Sequence, residues 1–193
     1  MLTNYEPNDR TLHLLGLYER EIYPFLDKSI AGAETLIDIG ANDGYYGLAF
    51  AKHKGKEIIL CEPSDQKENL RRNLLLNGFK ENKDYTLVDK FVSDGTNEKD
   101  ISINELMKDK KKVFVLIDVD GGEQQIIENY KFPPDVKVDW LIETHSVQLE
   151  ENVRRVLLSN GYKIKIIDSA WWRFFFPEKR PLDHNRWMYA IKD

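Results

Sequence analysis

A chain of 193 residues that is 41% apolar and 32% charged fits one globular domain, residues 1–193, burying about 70% of the surface its unfolded form would expose. The net charge of −5 runs against the basic balance of a dedicated nucleic-acid binder. The single cysteine, Cys61, excludes an intrachain disulfide and a cysteine-rich zinc site. With a polar opening stretch and no apolar run near the ~20 residues that span a bilayer, the expectation is a cytoplasmic protein with no membrane partner.

Residues 11–26 place Leu12, Leu15, Tyr18, Ile22 and Phe25 on one helical face, with Pro24 bending or ending the last turn. This predicts an N-terminal cover helix within residues 1–30. Residues 35–39 read as a first strand, 44–53 as a helix and 57–61 as a second strand ending at Glu62 and Pro63. The next helix opens with Asp65 and Glu68 spaced as a capping box and stops at Asn77 and Gly78, a left-handed cap. A third strand is expected over 85–92, then a turn at Ser93, Asp94 and Gly95, a short helix over 103–108, and a solvated run of lysines from Lys108 to Lys112.

The continuous apolar run 113–117 suits a parallel strand covered on both faces, and it ends at Asp118. A helix over 122–130, a strand over 138–142 leading into Glu143, Thr144 and His145, and a helix over 149–158 follow. Strands over 162–167 and 187–191, separated by the aromatic stretch Trp171 to Phe176, predict an antiparallel hairpin at the sheet edge within residues 162–193. Strands and helices that alternate without repeats predict an α/β, doubly wound sheet with right-handed crossovers. Its cofactor-binding core is expected within residues 34–145.

The chemistry concentrates where strands end, the edge at which such sheets bind ligands. Asp38, Glu62, Asp118 and Glu143 each close an apolar strand. The Gly40 to Gly44 turn lacks the third glycine of the dinucleotide fingerprint and has Asp38 two residues before it, which would repel a pyrophosphate. S-adenosylmethionine, with its ammonium and sulfonium, is attracted by the same carboxylate. Glu62 stands 24 residues after Asp38, close to the spacing at which an acidic side chain accepts hydrogen bonds from ribose hydroxyls.

The ordered set Asp38-Ile39-Gly40-Ala41-Asn42-Asp43-Gly44-Tyr45-Tyr46, Cys61-Glu62-Pro63, Arg72 to Gly78, Ile117-Asp118-Val119-Asp120-Gly121-Gly122-Glu123 and Ile142-Glu143-Thr144-His145 resembles the class I S-adenosylmethionine-dependent methyltransferases, and most closely their FkbM-like branch. The resemblance implies a Rossmann-like, seven-stranded sheet whose last strand is antiparallel. It implies S-adenosylmethionine as cofactor, held by Asp38, Gly40, Ala41, Asn42, Gly44, Tyr45, Glu62 and Asp118. It also implies a methyltransferase acting on hydroxyls, so that the acceptor is a small molecule or glycan. The chain departs from the family at Asp120, where glutamate is more usual, and at Gly122, where a larger residue is more usual.

A hydroxyl acceptor needs a base, and His145, Asp120 and Glu123 are the candidates. Asp118, Asp120 and Glu143 could hold Mg²⁺ through oxygen ligands, but no ordered ligand loop dictates a metal, and none is expected. Plainer roles stay open: Asp38 as a helix cap, Glu62 as a strand terminus, His145 as a hydrogen-bonded structural residue, Asp120 and Glu123 as complements to a helix dipole. Cys61 reads as a small buried apolar side chain, and His13, His53 and His184 as surface residues. The aromatic segment, flanked by Arg173, Lys179, Arg180 and Arg186, could cover an edge strand, form an acceptor lid, or make a homodimer interface. The alternatives to O-methylation are an RNA methyltransferase, for which base stacking on that segment would speak, and a catalytically silent interaction module.

Overall fold

A computed structural model describes residues 17–168 and 186–192. Thus Leu12, Leu15, His13, His184, Lys179, Arg180 and the whole Trp171 to Phe176 stretch lie outside the described residues. The strands are β1 (Thr35–Ile39), β2 (Glu57–Cys61), β3 (Thr86–Val88), β4 (Phe91–Ser93), β5 (Asp100–Ser102), β6 (Lys112–Ile117), β7 (Lys137–Thr144), β8 (Lys163–Ile167) and β9 (Arg186–Ile191). The helices are α1 (Tyr23–Gly32), α2 (Tyr45–Ala51), α3 (Gln66–Leu76), α4 (Ile103–Leu106), α5 (Glu123–Asn129) and α6 (Val147–Ser159).

Seven strands form one sheet in the order β3-β2-β1-β6-β7-β9-β8. All neighbours pair in parallel except β9, which runs antiparallel to both β7 and β8. This is the Rossmann-like α/β architecture expected, with its antiparallel C-terminal strands. The order reverses direction between β1 and β6, the switch point at which open sheets of this kind take ligands. None of the described helices is long and apolar enough to cross a membrane.

Alternation along the strands builds two cores. Ile37, Ile39, Val115, Ile117, Trp140 and Ile142 face Ile126, Ile127, Val153 and Leu157 of α5 and α6. Leu36, Leu60, Phe114, Leu116 and Leu141 face Leu26, Ile30, Phe50, Leu70 and Leu74 of α1, α2 and α3. Since strand side chains alternate, Asp38 points with Leu36 into the second core, where its flanking partners are Leu60 and Leu116.

Several local expectations are corrected. Pro24 does not end a helix. It sits in the first turn of α1, which runs on to Gly32, because a residue without N–H is tolerated where that donor would be orphaned anyway. Before it, Arg20–Ile22 forms a 3₁₀ turn rather than the last turns of an α-helix. The capping box at α3 does not form, since the Asp65 side chain accepts no capping bond; Glu68 is drawn instead to Arg71 at 2.6 Å, and the Ser64 hydroxyl accepts the Gln66 N–H at 3.2 Å. The strand expected over 85–92 is two strands, and β4 leaves the main sheet to pair with β5 in a separate two-stranded sheet. The polar Asp89 and Lys90 lie at that break, Asp89 tethered to Lys67 of α3 at 2.8 Å. The lysine run is less free than expected, because Lys110 and Lys112 pair with Glu57 and Glu34 at 2.5 and 2.8 Å. The left-handed stop after α3 forms as expected, with Gly78 at φ +88 and the Phe79 N–H returning to the Leu74 carbonyl at 3.0 Å.

Candidate active site

The turn after β1 is built so that its amides face inward. Gly40 and Ala41 N–H groups both donate to the Cys61 carbonyl at 3.0 Å, and the Gly44 N–H donates to the Ala41 carbonyl at 2.8 Å. The Asn42 N–H donates to Glu62 Oε2 at 2.8 Å. A turn that cradles phosphate keeps such donors free for the anion, so this one is closed to a diphosphate for reasons of hydrogen bonding as well as charge. Gly40 is also forced by proximity: it holds φ +87, and a Cβ there would stand 1.9 Å from the Asp118 carbonyl oxygen. β1 and β6 therefore approach each other at the switch point more closely than any side chain allows. Gly44, at φ +90, lets α2 start against α3, where a Cβ would stand 2.7 Å from the Leu74 side chain.

Asp38 is completely buried, and neither carboxylate oxygen has a hydrogen-bond partner among the described residues. Burial, and secondarily the charge of Glu62, pushes its pKa from 3.8 up to about 8. A buried carboxylate with both oxygens unserved is rare and costly. Glu62, 6% exposed, is the opposite case, since its two oxygens accept the Asn42 and Ser64 amides at 2.8 Å each. That pins the β1 turn to the segment after β2 and leaves lone pairs available on each oxygen.

A cavity of about 650 Å³ opens along the ends of β1, β2 and β6, lined by Gly40, Asn42, Glu62, Asp118 and Asp120 and walled on the far side by Phe91, Val92, Ser93 and Gln125. The departure of β4 from the main sheet makes that far wall. Asp38, Ala41, Gly44, Tyr45, Glu123 and His145 do not line it. Ala41 is buried, and the half-buried Tyr45 is hydrogen-bonded through its hydroxyl to Tyr23.

A second cluster adjoins the cavity through Asp118 and Asp120. His145 Nε2 stands 3.8 Å from Asp118, 3.6 Å from Asp120 and 3.4 Å from Glu143, while Nδ1 stands 3.5 Å from Glu123. The carboxylates of Glu123 and then Glu143 raise the imidazole pKa from 6.5 to about 10 against the effect of its burial. Burial, followed by hydrogen bonding to Glu143 and the charges of Glu143, Glu19 and Asp38, raises the Asp118 carboxyl well above its ordinary range. Of the three candidate bases, Asp120 is open to solvent, with a side chain 78% exposed. Glu123 is fully buried and accepts the His145 backbone N–H at 3.1 Å; the fold withdraws it from any acceptor. Cys61 is buried, and burial raises its thiol pKa, which keeps it protonated. His53 is exposed.

Three residues escaped sequence reasoning. Glu19, buried and left-handed at φ +44, accepts hydrogen bonds from the Tyr46 hydroxyl and, at 3.3 Å, from Trp187 Nε1; no local pattern separates it from the other polar residues of its segment. Asn73, 1% exposed, donates to the Asp43 carbonyl at 2.9 Å and ties α3 to the turn. Its place in a leucine-rich helix, where Leu70 and Leu74 mark the buried face, was the available signal. Phe91 is 57% exposed at the cavity wall, and its role depended on the unforeseen turn of β4.

No family model matches the chain, and no curated protein does. Solved structures do. The chain is similar to precorrin-6y C5,15-methyltransferase from Geobacter metallireducens, with TM-score 0.58, 15% identity, and 86% of each chain covered. It is similar to a SAM-dependent O-methyltransferase from Thermotoga maritima, with TM-score 0.58 and 15% identity over 88% of this chain and 63% of that one. It is also similar to the METTL16 methyltransferase domain, with TM-score 0.60 and 15% identity over 88% of this chain and 65% of that one. At these identities the likeness establishes the fold alone, a Rossmann-like α/β fold that these methyltransferases share.

Proposed function

We propose that the chain is an S-adenosylmethionine-dependent methyltransferase of FkbM-like type that methylates a hydroxyl of a small molecule or glycan. The observation that carries this reading is Asp38: a fully buried carboxylate with two unpartnered oxygens, beside a turn whose amides are closed to phosphate. Such a group suits a cationic guest. Glu62 would accept the ribose hydroxyls, the Gly40 to Gly44 turn and Asn42 would shape the seat between them, and Asp38, behind the cavity wall and protonated without ligand, would give up its proton to balance the positively charged methionine end. When bound, that cofactor supplies a methyl carbon on a sulfonium, open to in-line attack by an acceptor oxygen. The rest of the work falls to positioning and charge.

On the acceptor side, Asp120 would receive the hydroxyl proton, a role supported by its exposure at the cavity and its position 3.6 Å from His145. Glu123 acts through His145 as a positioning residue. The solvent-exposed Asp120 carboxylate at the mouth of this corner repels phosphate, which favours a neutral acceptor over RNA. The test is transfer of a labelled methyl group from S-adenosylmethionine to a panel of sugars, hydroxylated small molecules and oligonucleotides. Labelling of hydroxyl compounds, reduced at least tenfold in Asp120→Asn, supports the reading; labelling confined to oligonucleotides overturns the choice of acceptor.

A further inference from the structure

The group around His145 carries more acidic oxygen than one imidazole needs. Among the described residues, Asp118, Glu143 and His145 each offer a ligand atom, and these atoms lie within 4.8 Å of one another. Nε2 stands 3.4 Å from Glu143 and 3.8 Å from Asp118. Two donors bound about 2.1 Å from one ion lie roughly 3.0 to 3.4 Å apart in octahedral or tetrahedral geometry, so small side-chain adjustments close the set. The site is not a loose surface cluster: the side chains of His145 and Glu143 are only 7% and 6% exposed.

A second observation is independent of the carboxylates that face Nε2. On the far side of the ring, His145 Nδ1 makes no hydrogen bond among the described residues and faces Glu123, whose side chain is 0% exposed, at 3.5 Å. Glu123 also accepts the His145 backbone N–H at 3.1 Å. A buried carboxylate behind one ring nitrogen, with the other nitrogen directed at acidic oxygens, is the arrangement that fixes tautomer and orientation in metal-binding histidines.

We propose that Asp118, Glu143 and His145 form a site for a divalent first-row transition-metal ion, with Glu123 as the positioning residue behind the histidine. One imidazole among carboxylates favours Mn²⁺, Fe²⁺ or Zn²⁺ over Mg²⁺, which prefers an all-oxygen shell. Asp118 lines the cavity, so coordination positions not taken by protein face the space in which a substrate would sit. This set differs from the oxygen-only Mg²⁺ set that the sequence allowed without favouring it, with His145 in place of Asp120.

The test uses the full chain, stripped with a chelator and titrated with Mn²⁺ followed by electron paramagnetic resonance, with Zn²⁺ and Mg²⁺ as competitors. One Mn²⁺ per chain is expected, displaced by Zn²⁺ and only weakly by Mg²⁺. His145→Gln and Asp118→Asn should abolish binding, and Glu123→Gln should weaken it 10- to 100-fold. Thermal melts report whether each variant is folded, and His145→Asp, an all-oxygen set, should shift preference toward Mg²⁺. Failure of the stripped wild type to take up Mn²⁺ or Zn²⁺ overturns the proposal, as does equal affinity in wild type and in folded Asp118→Asn and His145→Gln. S-adenosylhomocysteine binding, measured on the same samples, is read separately: its loss in wild type would overturn the cofactor reading and leave the metal site standing.

Discussion

Replacing Asp38 by asparagine removes an ionisable group from the second core while keeping its shape. In the folded chain the Asp38 pKa is raised from 3.8 to about 8, so folding favours the protonated acid. The stabilisation from that proton is fully present below the unfolded pKa, near 4, and is lost as pH rises through about 8. Between pH 5 and pH 8 the wild type should lose on the order of 4 kcal/mol that Asp38→Asn, which has no proton to lose, keeps. Other titrating groups are common to both proteins and cancel in the difference, except Asp118 and Glu62, whose charges interact with that of Asp38. Paired urea denaturation of wild type and Asp38→Asn without ligand, at half-unit steps across that range, measures it. In melts the same gap corresponds to roughly 10 °C at the upper end. A stability difference that stays flat from pH 5 to pH 8 would refute the claim that a buried, unserved carboxylate sits at this position.

Gly40→Ala should destabilise by more than about 3 kcal/mol, since a left-handed φ penalty adds to a Cβ placed 1.9 Å from the Asp118 carbonyl oxygen; chemical denaturation measures it. Asn73→Ala removes the part-buried hydrogen bond to the Asp43 carbonyl and should cost about 1 to 2 kcal/mol, with a matching rise in hydrogen exchange in the turn and little change at α6. Glu62→Gln keeps one oxygen acceptor but loses its charge, and should weaken S-adenosylhomocysteine by about 1 to 3 kcal/mol in calorimetry. Unchanged affinity would remove Glu62 from the cofactor seat.

The sheet was legible because its signals are local and repeated. Apolar runs such as Val113 to Ile117 and the stop at Asn77 and Gly78 carry their conformation in a few adjacent residues, and the acidic residues at strand ends mark the ligand edge whatever the exact strand bounds. What failed was punctuation whose meaning depends on tertiary context. Pro24 has the same chemistry at a helix start as at a helix end, and Asp65 and Glu68 have the spacing of a box that Arg71 and Ser64 outcompete. The run from Tyr85 to Val92 looks continuous because side-chain alternation does not report which sheet a strand joins. In the site, Asp38 and Gly40 announce themselves through a contiguous motif, and Glu62 through its place at the end of the next strand. Glu19 reaches it from a distant segment with no neighbouring residue to mark it, and Asn73 is marked only by the buried helix face it shares with Leu70 and Leu74. The convergence of His145 with Asp118 and Glu143 depends on β6 and β7 lying side by side, a pairing that the spacing of these residues in the chain does not specify.

Calorimetric titration of the purified chain with S-adenosylhomocysteine and, in parallel, with NAD⁺ tests the central claim most directly. The account predicts one S-adenosylhomocysteine per chain, binding weakened in both Asp38→Asn and Glu62→Gln, and no heat from NAD⁺. Selective binding of NAD⁺, or S-adenosylhomocysteine binding indifferent to both substitutions, would contradict it.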